Sequence, residues 1–209
     1  MIDVELMRQA AAQEGIVVSE ADVDARLAQI VKDAGGAEAF KKSLAESSLT
    51  EAQFRSLILR DQMIYEQLYD KLVAKLPTTA EQVRARHILV DSEKAANDVK
   101  DRLAKGQDFA AVAKEVSLDT ATKDSGGDLG FFPRGVLDSA FEQVAFSLKV
   151  NEVGIAKTDY GYHVIQVLEK DASRAIAAEF MQFMGDEAVN GYMEGLRSKA
   201  KIEILVKLT

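Results

Sequence analysis

Apolar residues recur at helical spacing over residues 1–76, and the first proline, Pro77, arrives where that period stops. Proline lacks a backbone N–H and pushes the residue before it out of the helical region, so it marks a boundary between two kinds of chain. Upstream of it, Met1-Ile2-Asp3-Val4-Glu5-Leu6-Met7 enters a helix at once, with no basic-apolar-small pattern of a signal peptide. Gly15 separates this helix from Ile16-Val17-Val18, and Ser19 caps a second helix through about Ala34, which Gly35-Gly36 closes. A short helix follows over about 37–46. Thr50-Glu51-Ala52-Gln53 then forms a capping box for a long helix with Phe54, Leu57, Ile58, Ile64, Leu68 and Leu72 on one stripe.

Beyond Pro77 the period shortens. Residues 84–90 read as a strand, 92–105 as an amphipathic helix ending at Gly106, and Asp108 caps another helix with Phe109, Val112 and Val116 inward. Residues 117–135 form a long loop rich in Gly, Asp and Ser, of the length where function concentrates. Asp138 caps a short helix over Phe141, Val144, Ala145 and Phe146, and 162–168 alternates as a strand. After Asp171 the chain turns helical through roughly Lys199, and Ile202-Glu203-Ile204-Leu205-Val206 closes as a strand-like run. This order predicts an α+β fold: a compact β-α-α-β-type domain over 81–170, inserted into a helical lobe built from 1–80 and 171–209. Three successive domains are the alternative, but 39 residues make a poor independent core.

Composition narrows the function. A net charge of −8 argues against a nucleic-acid partner or an anionic membrane surface, both of which call for a basic face. No apolar run approaches the ~20 residues of a membrane span. The chain has no cysteine, which excludes disulfides, thiolate nucleophiles and cysteine metal sites.

The only two histidines, His87 and His163, fall in the short apolar runs Arg86-His87-Ile88-Leu89-Val90 and Tyr160-Gly161-Tyr162-His163-Val164-Ile165. Two separate core histidines are one reading; a pair brought together by two strands is the other. Their separation of 76 positions, with no helical ligand motif, gives no support to a metal site, and no cofactor is expected. Between them lies Gly126-Gly127-Asp128-Leu129-Gly130-Phe131-Phe132. It lacks the Lys-Ser/Thr of a phosphate loop, so its glycines serve tight turns instead.

Taken in order, these runs with Phe109-Ala110-Ala111-Val112-Ala113, Ser117-Leu118-Asp119, Arg134-Gly135 and Phe141-Glu142 resemble a parvulin-type peptidyl-prolyl isomerase domain over about 82–170. The flanks resemble, more loosely, the helical chaperone lobe of SurA- and PrsA-like exported foldases, without the short segment that usually precedes its first helix. The resemblance implies rotation of Xaa-Pro bonds in unfolded or partly folded proline-containing polypeptides, in a periplasmic or otherwise extracytoplasmic setting. It also implies site residues. Leu129, Leu137 and Phe141 would form a slot for the proline ring, with Tyr160 bordering the substrate. His87, Asp119, Thr158 and His163 would form a polar network behind the amide. Read as residues alone, Phe141 is equally an ordinary core aromatic, Asp119 a turn-capping carboxylate, and Thr158 a strand residue bonded to backbone. Phospho-specific parvulins carry a basic cluster after the first strand; here Asp91-Ser92-Glu93-Lys94-Ala95 is mostly acidic, which predicts unphosphorylated substrates. A holdase that keeps the fold without catalysis is the alternative. Phe180, Met181, Phe183, Met184, Tyr192 and Met193 could serve such a lobe as a client surface or simply as core.

Overall fold

The computed structural model describes residues 2–200; the strand-like run 202–206 lies outside them. The chain forms two compact units, one from the stretch up to Leu76 together with that from Gly185 onward, the other from Pro77 to Met184.

The helical unit opens with α1 (Ile2–Gln13), α2 (Glu20–Asp33) and α3 (Ala37–Glu46). Ser19 caps α2 in a reciprocal box with Asp22. Thr50 and Gln53 make the same box ahead of α4 (Glu51–Phe54), which runs through a π-helical stretch, Arg55–Leu59, into α5 (Arg60–Val73). That stretch corrects the expected apolar stripe. A π turn inserts an extra residue into the helical repeat and rotates everything beyond it. Leu59 therefore becomes buried at 1% exposure, while Leu57 and Ile58 face outward at 60% and 40%. One cluster gathers Val18, Val23, Leu27, Phe40, Leu44 and Leu59. A second joins Met7, Ala10, Leu68 and Leu72 to Val189 of α9 (Ala178–Lys199), with Tyr192 and Met193 partly buried against it.

The second unit is a four-stranded antiparallel sheet in the order β2-β1-β4-β3, formed by β1 (Thr79–Val90), β2 (Asp128–Pro133), β3 (Val153–Thr158) and β4 (Gly161–Ala175). Strand alternation divides β1 between two cores. Ile88 and Val90 pack with Val164 against α6 (Glu93–Ala104) and α7 (Phe109–Val116). Val83 and Ala85, with Ile165 and Val167, pack on the opposite face against Phe141, Ala145 and Phe146 of α8 (Ser139–Ser147).

Three expectations need correction here. The loop over 117–135 contains β2, an edge strand whose glycine and terminal proline disguise it; an edge position tolerates both. Strand β3 was not anticipated, because Gly154 interrupts it. A β-carbon there would lie 2.8 Å from Val144, so the glycine admits close packing of α8. Finally, β4 continues to Ala175, where a helix was expected from 171. Residues 170–175 have weak strand propensity and are held by pairing with the start of β1. The Gln82 side-chain amide adds bonds to the carbonyls of Arg174 and Ala175 at 3.2 and 3.0 Å.

The turn into β2 is fixed by one glycine. Gly127 has φ +76°, its carbonyl accepts the His87 N–H at 2.9 Å, and a β-carbon on it would lie 2.1 Å from the His87 oxygen. Gly127→Ala is expected to destabilise this unit by at least about 2 kcal/mol, from positive-φ strain plus a backbone clash. Denaturant unfolding followed by Phe and Tyr signals checks this; an unchanged midpoint would rule out the close approach.

Candidate functional site

The two histidines meet because of strand register. In the β1–β4 ladder His87 faces Ile165 and Leu89 faces His163, so the histidines are diagonal neighbours on one face. Their Nδ1 atoms lie 3.0 Å apart and their rings are nearly parallel, at 12°. Phe141, from α8, stands edge-on to both, with centroids 5.7 Å from His87 and 5.3 Å from His163.

The chain of hydrogen bonds extends from this pair in both directions. His87 Nε2 is 2.8 Å from Asp119 Oδ2, and His163 Nε2 is 2.8 Å from Thr158 Oγ1. The Asp119 carboxylate also accepts the Thr122 hydroxyl and, at 3.0 Å, the Ala121 N–H. Burial alone would push this carboxyl up, but the bonds from Thr122, His87 and Ala121 outweigh it and hold it below its ordinary value. Asp119 is thus a turn cap and a histidine partner at once. Thr158 likewise accepts the Tyr160 N–H at 3.1 Å while reaching His163.

These partners determine the tautomers. An ionised Asp119 requires a proton on His87 Nε2. In the state where His87 carries only that proton, it accepts at Nδ1, so His163 donates from its own Nδ1 and accepts the Thr158 hydroxyl proton at Nε2. One direction of donation runs from the Tyr160 N–H through Thr158, His163 and His87 to Asp119. Burial, and next the neighbouring His87, push His163 down to about 4, so the ring is neutral at physiological pH.

In front of the pair lies a cavity of about 180 Å³ lined by His87, Leu129, Leu137, Asp138, Phe141, Thr158, Tyr160 and His163. The structure therefore brings together every sequence-predicted site residue except Asp119, which stands behind His87. Phe141 is both core and wall, at 3% exposure, whereas Tyr160 is 79% exposed at the rim. An apolar cavity of about 150 Å³ can hold a benzene ring, so this one has room for a five-membered ring.

Sequence reasoning passed over three residues of the site. Asp138 was read only as a helix cap, yet it lines the cavity while accepting the Ala140 N–H at 2.8 Å. Thr122 anchors Asp119. Glu142 is buried, and its carboxylate accepts the backbone N–H groups of Gly135, Val136 and Leu137 at 2.8–2.9 Å, which positions Leu137. The available signal for Glu142 was an acid on the inward side of the apolar run Phe141-Glu142-Gln143-Val144-Ala145-Phe146.

The depressed His163 makes stability depend on pH with a definite sign. The unfolded chain binds this proton below about pH 6.5, but the folded chain binds it only below about 4. Stability therefore rises with pH across that window and is lost as the pH falls through it, by no more than about 3.5 kcal/mol. His163→Gln should flatten the slope between pH 4 and 6.5 in denaturant titrations. Asp119, shifted in the carboxylate range, acts only at lower pH.

Comparison with known proteins places this geometry in a family. Residues 69–171 match the model of the PPIC-type peptidyl-prolyl isomerase domain. The chain is 40% identical over 176 residues to the foldase protein PrsA of Caldanaerobacter subterraneus subsp. tengcongensis, covering 79% of this chain and 54% of that protein. It is 41% identical over 175 residues to a parvulin-like isomerase of Rickettsia bellii, covering 79% and 61%. It thus spans little more than half the length of these curated relatives. The crystal structure of PrsA from Bacillus anthracis superposes over 98% of both chains with a TM-score of 0.67 at 23% identity, a likeness of fold. Over residues 69–171 the chain thus carries a parvulin domain, the PPIC-type peptidyl-prolyl isomerase domain.

Proposed function

We propose that the second unit catalyses non-covalent rotation about unphosphorylated Xaa-Pro bonds in unfolded or partly folded polypeptides, with the helical unit acting as a chaperone lobe. The observation that carries this reading is an apolar cavity of ring size whose back wall is a pair of hydrogen-bonded histidines. Rotation faces a barrier of about 18–20 kcal/mol, set by resonance between the amide nitrogen and carbonyl. As the amide twists, resonance is lost and the carbonyl oxygen gives up part of its negative charge. A site that solvates the planar amide poorly and grips the ring in either isomer therefore favours the twisted form. Leu129, Leu137 and Phe141 supply the grip.

The histidines have a positioning role in this scheme. Every ring nitrogen is already engaged, two toward Asp119 and Thr158 and two toward each other, so neither histidine is free to act as a nucleophile. Their bonds orient the wall against which the amide lies. Near the cavity the acidic side chains are Asp119 and Asp138, and among the described residues no lysine or arginine lines it, which disfavours a phosphorylated residue before proline. In the helical unit, a cleft of about 590 Å³ lined by Val4, Met7, Tyr65 and Met193, with acidic Asp3 and Glu194, suits weak capture of extended apolar segments. An extracytoplasmic setting accords with the likeness to PrsA.

Cis/trans exchange of an unphosphorylated Xaa-Pro peptide, measured by NMR, tests the enzyme. The wild type should accelerate exchange strongly. Phe141→Leu and the half-exposed Leu137→Ala should each lower kcat/KM by about 10-fold or more, the usual worth of one apolar wall. No acceleration by a folded wild type would sink the isomerase reading. Suppression of client aggregation should survive His87→Ala if the helical unit is the holdase, and should fall with that variant if clients are held in the cavity.

A further inference from the structure

We propose that the sheet face opposite the histidines carries a second binding site, for a carboxylate, centred on Arg86. Strand alternation sends His87 to one face of β1 and Arg86 to the other. There Arg86 lines a cleft of about 380 Å³ together with Lys100 and Leu103 of α6, Gln107, Asn151 and Gln166.

Arg86 is held by side-chain contacts, with Asp108 and Asp128 near it but no carboxylate in direct contact. Its guanidinium lies over the Phe109 ring, 4.3 Å from the centroid, and its Nε donates to Gln166 Oε1 at 2.8 Å. No carboxylate among the described residues forms an ion pair with it. Asp128 stands opposite Arg86 in the β1–β2 ladder, yet gives its carboxylate to Arg84 at 2.6 Å and to the Gly130 N–H at 2.9 Å. Asp108 lines the same cleft but is turned to the Ala111 N–H at 2.8 Å as the cap of α7. The terminal N–H groups of Arg86 therefore make no bond within the domain, although burial lowers the pKa of the group. A part-buried guanidinium ordinarily takes a carboxylate in its fork.

The rest of the cleft selects the ligand. Lys100 adds a second, exposed cation. Asn151, at φ +69°, and Gln107, whose carbonyl is engaged by Arg102, bring side-chain amides to it. Leu103, Phe109 and Val153 give it an apolar wall. One arginine fork beside the acidic Asp108 fits a planar monoanion better than a dianionic phosphate. The ligand is thus a carboxylate on an otherwise apolar chain: an acidic side chain or the terminal carboxylate of a polypeptide.

The test uses the full chain and wild-type side-chain NMR resonances, titrated with acetate and with inorganic phosphate at matched chloride ionic strength. Acetate should shift the Arg86 Nε–H and the Asn151 and Gln107 amides saturably. Its affinity should fall at least about 10-fold in Arg86→Gln, the usual loss for a charge-assisted bond, and more modestly in Lys100→Gln. Lys100 is exposed, so its variant keeps the test valid if Arg86→Gln is poorly folded. Shifts linear in acetate, shifts unchanged in both variants, or saturation by phosphate alone would overturn the site. Short C-terminally amidated peptides, with and without an internal glutamate, beside a free-acid peptide then separate the two sources. Equal binding by the amidated peptide lacking glutamate would also overturn it. Prolyl exchange measured on the same samples reports independently on the histidine face.

Discussion

The pairing of β1 with β4 is the constraint on which the second unit depends. It runs from Thr79 opposite Ala175 to Val90 opposite Tyr162, nearly the full length of both strands. At one end it brings the entering and departing chain side by side, where Ile176 N–H also bonds the Thr78 carbonyl, so the unit can be inserted into another without opening its own core. At the other end its register sets the two histidines diagonally. A slip of one residue would send one histidine to the opposite face and break the hydrogen-bond chain. Strands β2 and β3 are edges attached to this pair, and α8 lays Phe141 against the histidines only because Ala85, Ile165 and Val167 offer it an apolar bed.

Two buried imidazoles side by side raise an electrostatic problem that the surrounding residues solve. A proton on each would place two cations 3.0 Å apart in a poorly solvated site. Asp119 at one end and the Thr158 hydroxyl at the other engage the outer nitrogens, and the neutral His163 keeps such a pair of cations from forming. Asp119 is itself kept acidic by Thr122, His87 and Ala121, so its charge sits at the periphery of the network, behind the histidine that lines the cavity. For a reaction whose substrate becomes less polar at its barrier, that placement is the useful one.

Much of this was legible in the sequence, because it rests on local chemistry. Ser19, Thr50, Asp108 and Asp138 cap the helices they were expected to cap, since a cap depends on residues within one turn. The site residues were legible only through family likeness: nothing in the spacing of His87 and His163 encodes a ladder register. What stayed hidden is set by tertiary context. Strand β2 ends in Pro133 and contains Gly130, β3 contains Gly154, and the last third of β4 is polar; each is a strand because a neighbour supplies its hydrogen bonds. The π-helical stretch at Arg55–Leu59 has no sequence signature, yet it decides which of Leu57, Ile58 and Leu59 is buried. Glu142 escaped because its partners are three successive backbone N–H groups, invisible to any side-chain pattern.

The same strand that carries His87 shows how one element can serve two sites without mixing them. Arg84, Arg86 and His87 lie within four residues, and their different surroundings follow from pleat and register. Arg84 takes the carboxylate of Asp128 although Asp128 faces Arg86 across the ladder, because the register between β1 and β2 shifts between these two arginines. The irregularity, stabilised by the turn at Gly127 and the Asp128–Gly130 bond, satisfies one cation and leaves the other open. Closing that gap would take only an acid at a neighbouring cleft position such as Gln107 or Gln166. The chain instead places amides there, groups that orient a guanidinium without neutralising it. Stacking on Phe109 and the bond to Gln166 fix the guanidinium in place while no carboxylate fills its fork. The polar lining around Arg86 therefore argues for a ligand, on the face that the histidines leave free.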